Sequence, residues 1–87
     1  MSARENPRRY FLDITGDVCP LTFVKTKLLL ERLSPGDIAE IRLTGAEPVE
    51  NVPRSVREDG HEIVAFAPEQ GMPSGPEAIY RLVVRRA

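Results

Sequence analysis

Two side chains in this sequence can react near neutral pH. They are Cys19 and His61, each the single residue of its type. Cys19 lies in "LDITGDVCPLTFVKTK", residues 12–27, directly before Pro20 and a run that reads as a helix. At a helix N-terminus, free N–H groups and the positive end of the dipole favour a thiolate, and so a nucleophile. Proline suits the first helical position, where its missing N–H has no partner, and it fixes the direction in which Cys19 points. The same residue could instead fill a gap as a small buried hydrophobe. Without a second cysteine it cannot cycle through an internal disulfide. Nothing in the sequence brings His61 to Cys19. It reads as a strand-edge histidine rather than half of a Cys–His dyad, so hydrolysis has no support. What remains is a nucleophile that takes a group from one protein and hands it to another. A cysteine at an exposed corner ringed by apolar side chains suits a persulfide sulfur.

The elements that must place Cys19 can be read from periodicity. "YFLDI" (Tyr10–Ile14) alternates and predicts a first strand. "TGDVC" turns the chain, with Gly16 free to take backbone angles closed to other residues. The helix is expected from Pro20 to about Leu33, stopped by "SPGD" (Ser34–Asp37). "IAEIRLT" (Ile38–Thr44) is a second strand, with Ala39, Ile41 and Leu43 on one face. "GAEPVEN" reads as a connection. A short helix follows over Asn51–Asp59, capped by Asn51, with Pro53 in its first turn and Val52 and Val56 facing inward. "HEIVAFA" (His61–Ala67) and "AIYRLVVRR" (Ala78–Arg86) are the last strands, joined by the proline-rich loop Pro68–Glu77. The order is strand, helix, strand, helix, strand, strand. It predicts an α+β, two-layer α/β sandwich: a four-stranded mixed sheet with a parallel first pair, an antiparallel last pair and both helices on one face.

The first helix carries two apolar stripes. Phe23, Thr26, Leu29, Leu30 and Leu33 suit the sheet. Leu21, Val24 and Leu28 fall roughly opposite, beyond what one sheet requires. They are scattered exposed residues, residues covered by the N-terminal segment or the proline-rich loop, or a docking surface beside Cys19 for a partner protein or a second copy, which leaves a weak homodimer open.

Composition narrows the classes. The 87 residues suit one small domain (residues 10–87) after a flexible N-terminal segment (residues 1–9). Hydrophobic residues at 41% and charged residues at 29% are a globular balance. A net charge of −1 argues against direct nucleic-acid binding. Arg4, Arg8 and Arg9 near one end and Arg81, Arg85 and Arg86 near the other read first as solvated charges on the termini; the alternative, if the terminal strands lie close together, is a local basic patch. No apolar run spans a bilayer and no signal-peptide pattern opens the chain, so a cytoplasmic protein is expected, with no membrane partner. One Cys and one His are too few for a zinc site within one chain, and no cofactor is implied.

The residues around Cys19 resemble the TusA/SirA-like sulfur-carrier family, whose members read L-D-x-x-G-L-x-C-P-x-P before a helix and a G-D turn. Here the stretch is Leu12-Asp13-Ile14-Thr15-Gly16-Asp17-Val18-Cys19-Pro20-Leu21-Thr22. "LSPGD" (Leu33–Asp37), "NVPRSVREDGHEIV" (Asn51–Val64) and "YRLVVRR" (Tyr80–Arg86) match later family segments. The resemblance implies a cytoplasmic sulfurtransferase-type carrier acting through a persulfide on Cys19. Sulfur would come from a cysteine desulfurase or rhodanese-like protein and pass to a protein acceptor, towards tRNA thiolation, cofactor synthesis or sulfur oxidation. Asp13, Gly16, Asp17, Pro20 and Thr22 would shape the site, and Leu21, Val24 and Leu28 would dock partners. Asp17 stands where the family has leucine, and Thr22 where it has its second proline. The same fold could also serve as a non-catalytic regulatory or protein-interaction module.

Overall fold

The structure is a computed structural model that describes residues 8–18, 20–69 and 78–87. Its elements follow the expected order: β1 (Arg9–Asp13), α1 (Leu21–Arg32), β2 (Ile38–Thr44), α2 (Ala46–Glu58), β3 (Glu62–Pro68) and β4 (Ile79–Arg85). The sheet order is β1-β2-β4-β3. β1 and β2 are parallel, while β4 runs antiparallel to both β2 and β3. The flexible segment expected at the N-terminus lies outside the described residues except for Arg8 and Arg9. Most of the proline-rich loop lies outside them too.

Strand alternation builds the core. Ala39, Ile41 and Leu43 of β2, with Leu82 and Val84 of β4, have no exposed surface. Leu30 and Leu33 at the end of α1, and Val52 and Val56 of α2, cover them from one side. Each such aliphatic side chain withdrawn from water contributes about 1.5–3 kcal/mol. β3 carries a one-residue bulge at Val64, between the pairs Ile63↔Val84 and Ala65↔Val83. The bulge turns Phe66 inward, where it stacks on Tyr80 at 5.2 Å between ring centroids.

The second helix departs from expectation. It starts at Ala46, not Asn51, with Gly45 as its cap at φ 104°. Only glycine holds that angle readily, and a Cβ there would lie 3.2 Å from Pro48 Cδ. Pro48 sits in the first turn, where a missing N–H costs little. Pro53, expected in that turn, lies inside the helix on its buried side, so Val49 loses the bond that residue 53 would donate to its carbonyl. Asn51 is no cap. Its Oδ1 accepts from Arg54 at 2.6 Å.

The inward face of α1 also differs in detail. Thr22, Thr26 and Leu30 are its buried residues, spaced four apart. Phe23 is only half-buried, with Lys27 Nζ 5.2 Å from its ring centroid.

Candidate functional site

The turn between β1 and α1 is built by Asp13. Its Oδ1 accepts from the Thr15 backbone N–H at 2.9 Å and the Thr15 hydroxyl at 2.7 Å. Its Oδ2 accepts from Arg42 Nη1 at 2.8 Å. These bonds to Thr15, and then to Arg42, hold the Asp13 carboxyl down to about 2. Ile14, fully buried, continues the parallel ladder through its N–H to the Arg42 carbonyl at 2.9 Å. Asp17 N–H then returns to the Ile14 carbonyl at 3.1 Å, and Leu21 N–H reaches the Val18 carbonyl at 2.8 Å.

Val18 and Pro20 therefore frame position 19, while Cys19 itself lies outside the described residues. Pro20 occupies the cap position of α1 rather than its first helical position, with φ −93° and ψ 7°. It offers no side-chain acceptor, and the first turn of α1 carries no acidic residue. The positive end of the helix is thus not offset by carboxylates of its own first turn.

The remaining shaping residues take unexpected roles. Gly16 is not among the glycines with positive φ, and a Cβ on it would meet nothing within 4 Å. The turn uses Asp13 and Thr15 rather than glycine's conformational freedom. Thr22 is fully buried, and its carbonyl accepts from the Thr26 hydroxyl at 2.8 Å. It supports the helix start from beneath. Asp17, which stands where the family has leucine, is matched by Lys25 Nζ at 2.9 Å. Sequence reasoning missed this role for Lys25.

Above this turn the second stripe of α1 is open to solvent. Leu21 is 49% exposed, Val24 40%, Leu28 51%, and Val18 beside them 72%. Beside it, a groove runs from Pro20 between the two helices, past Phe23 and Lys27 on one side and Arg54 and Asp59 on the other. Lys27 closes one wall by pairing with Asp59 at 3.2 Å.

His61 does not join this site. The β1–α1 turn follows the C-terminal end of β1. His61 precedes β3, whose first pair is Glu62↔Arg85, and Arg85 lies opposite Ile38 at the start of β2. The two positions sit at opposite ends of the sheet, roughly 20 Å apart along strands of this length. His61 Nδ1 accepts from the Ala87 N–H at 3.0 Å. Burial, and then the neighbouring Arg86, lower its pKa, against a weaker pull from Asp59.

The alternative of a basic patch does not form among Arg9, Arg81 and Arg85. β2 separates β1 from β4, and the arginines on the open sheet face are paired. Arg9 meets Glu40 at 3.5 Å, and Arg81 meets the same Glu40 and also Glu69, the latter at 3.0 Å. Arg42 bridges Glu69 at 2.6 Å and Asp13, and Arg85 meets Glu62 at 2.6 Å. Arg86 donates to the Leu30 carbonyl at 2.9 Å. Arg4 lies outside the described residues. No described helix is long and apolar enough to cross a membrane.

Comparison with known proteins places this geometry. A protein of Archaeoglobus fulgidus named "Putative sulfur carrier protein" is 46% identical over 54 residues, 62% of this chain and 61% of that protein. The chain thus matches about three fifths of that relative's length. A protein of the same description from Methanocaldococcus jannaschii is 31% identical over 75 residues, 86% of this chain and 91% of its own. The crystal structure of a SirA-like protein from Desulfitobacterium hafniense superposes with a TM-score of 0.69 over 87% of this chain and 95% of that one. At 14% identity, that likeness speaks for the fold alone. The sequence model of the family described as sulfurtransferase TusA matches residues 10–86, which take in the Asp13 turn, position 19 and every strand but the first residue of β1, and the chain belongs to that family.

Proposed function

We propose that this protein is a sulfur carrier that holds a persulfide on Cys19 and moves it between two protein partners. The observation that carries this reading is the exposed apolar surface that runs from the β1–α1 turn along α1. Val18, Leu21, Val24 and Leu28 stand open to solvent along the turn and α1, next to a side-chain-locked turn and a helix N-terminus with no acidic residue in its first turn. An exposed apolar surface of this kind fits transient protein docking, and the helix end favours a sulfur anion.

The chemistry balances without an added oxidant. The Cys19 thiolate attacks the terminal sulfur of a persulfide on the donor protein and forms a new S–S bond. The donor's S–S bond breaks, and its electron pair leaves on the donor cysteine as a thiolate. Delivery repeats the step: an acceptor nucleophile attacks the terminal sulfur, and Cys19 leaves as a thiolate. A cysteine desulfurase or a rhodanese-like protein has the chemistry of the donor.

The test is intact mass after incubation with a desulfurase and free cysteine. The chain should gain the mass of one sulfur atom, reversibly by thiol reductant, and Cys19→Ser should gain none. No gain with donors of either class would leave only the interaction-module reading.

A further inference from the structure

Asp17 and Lys25 bracket Cys19 in sequence, and their side chains meet at 2.9 Å. Covalent geometry keeps the Cα atoms of residues 17 and 19 within about 7.6 Å of each other. A carboxylate that near opposes ionisation of a thiol. Glu47 in the first turn of α2 and Glu50 beyond it are exposed, and three charged groups of the turn and the helices are engaged elsewhere. Asp13 is held by Arg42, Lys27 by Asp59, and Arg54 by Asn51. Glu58 of α2 lines the same groove as Pro20 and stays across it. Asp17 is the carboxylate nearest Cys19 in sequence, and Lys25, one turn into α1, is the cation that pairs with it.

We propose that Lys25 is a positioning residue for Cys19: it offsets the Asp17 carboxylate and ties the end of the turn to α1, so that the loop does not oppose ionisation of the thiol it carries. The purpose of this arrangement rests on the persulfide reading above. Its electrostatic effect on the thiol does not, since that effect acts with or without a sulfur donor.

The test is the pH dependence of Cys19 alkylation in the full chain by iodoacetamide, a neutral probe that no charge steers. Lys25→Met leaves the carboxylate unmatched and raises the apparent thiol pKa. Asp17→Asn leaves the ammonium unmatched and lowers it. At an effective dielectric near that of water, each shift is about half a pH unit. Lys25→Arg keeps the native value, and the double variant Asp17→Asn/Lys25→Met returns close to it. At about 1 M salt, where screening acts over about 3 Å, the single-variant shifts shrink. Opposite shifts that cancel in the double variant support the proposal. Shifts of the same sign, as from a turn merely loosened by either change, overturn it, and so does the absence of a shift in both. Circular dichroism of each variant confirms a folded chain. Because the readout is thiol ionisation, a chain that takes up no sulfur yet shows the opposite shifts refutes sulfur carriage and leaves the role of Lys25 standing.

Discussion

Asp13 spends both carboxylate oxygens on the turn that leads to Cys19, one on Thr15 and one on Arg42. Its pKa falls from 3.8 to about 2. A depressed carboxyl stabilises the fold above its unfolded pKa and loses that contribution as pH falls through its folded value. The turn should therefore hold above about pH 4 and weaken towards pH 2. Asp13→Asn should melt below the native chain at neutral pH, with the gap in Tm closing between those two values. A gap that persists unchanged at pH 2 would mean that the carboxylate's charge is not what holds the turn. Asp13 could be singled out in the sequence through its motif, but its partner Arg42 could not. The two are 29 residues apart, and only the parallel register of β1 on β2 sets them side by side. Lys25 was hidden for a related reason: its pairing with Asp17 needs the chain to double back through the turn.

At the scale of elements, the legible parts were those with a clean period. β2 alternates without interruption, and its bounds match the sequence reading residue for residue. The start of α2 was illegible because Gly45 and Pro48 read as breakers, while Asn51 and Pro53 imitate a helix start. Whether a proline ends a helix or enters its first turn depends on the φ of the residue before the helix, and sequence does not display that angle. The two stripes of α1 were legible from angular spacing, and the structure separates them: one against the core, the other half-exposed. Leu21→Glu with Leu28→Glu should leave the circular dichroism spectrum and Tm nearly unchanged, since surface changes of this kind move stability by roughly 0.5 kcal/mol or less each. Pull-down with a sulfur-donor protein should weaken at least tenfold. Loss of the folded spectrum would instead place the stripe in the core.

Taken whole, the molecule divides its tasks between the two ends of the sheet. At the end opposite the Cys19 turn, Asp37 is buried and accepts from Arg8 N–H at 3.1 Å and Ser34 N–H at 3.0 Å. Gly36 N–H and Arg86 N–H close backbone bonds across the same junction at 2.8 and 2.9 Å. The start of β1, the end of α1, the start of β2 and the end of β4 all meet there. Asp37→Ala strands buried donors and should cost about 2–4 kcal/mol. Urea unfolding will measure that loss, while the rate of Cys19 alkylation in the folded state stays native; a changed rate would mean that the two ends are coupled. The bulge at Val64 has a consequence of its own. β1 and β3 are the edges of an open sheet, and unpaired edges invite strand-to-strand stacking between molecules. β1 is five residues long and charged at both ends, by Arg9 and Asp13. β3 is broken in register by the bulge and closed by Pro68. Neither edge offers another copy a long straight ladder, so pairing between copies through the sheet is disfavoured at both edges even though one helix face is apolar and exposed.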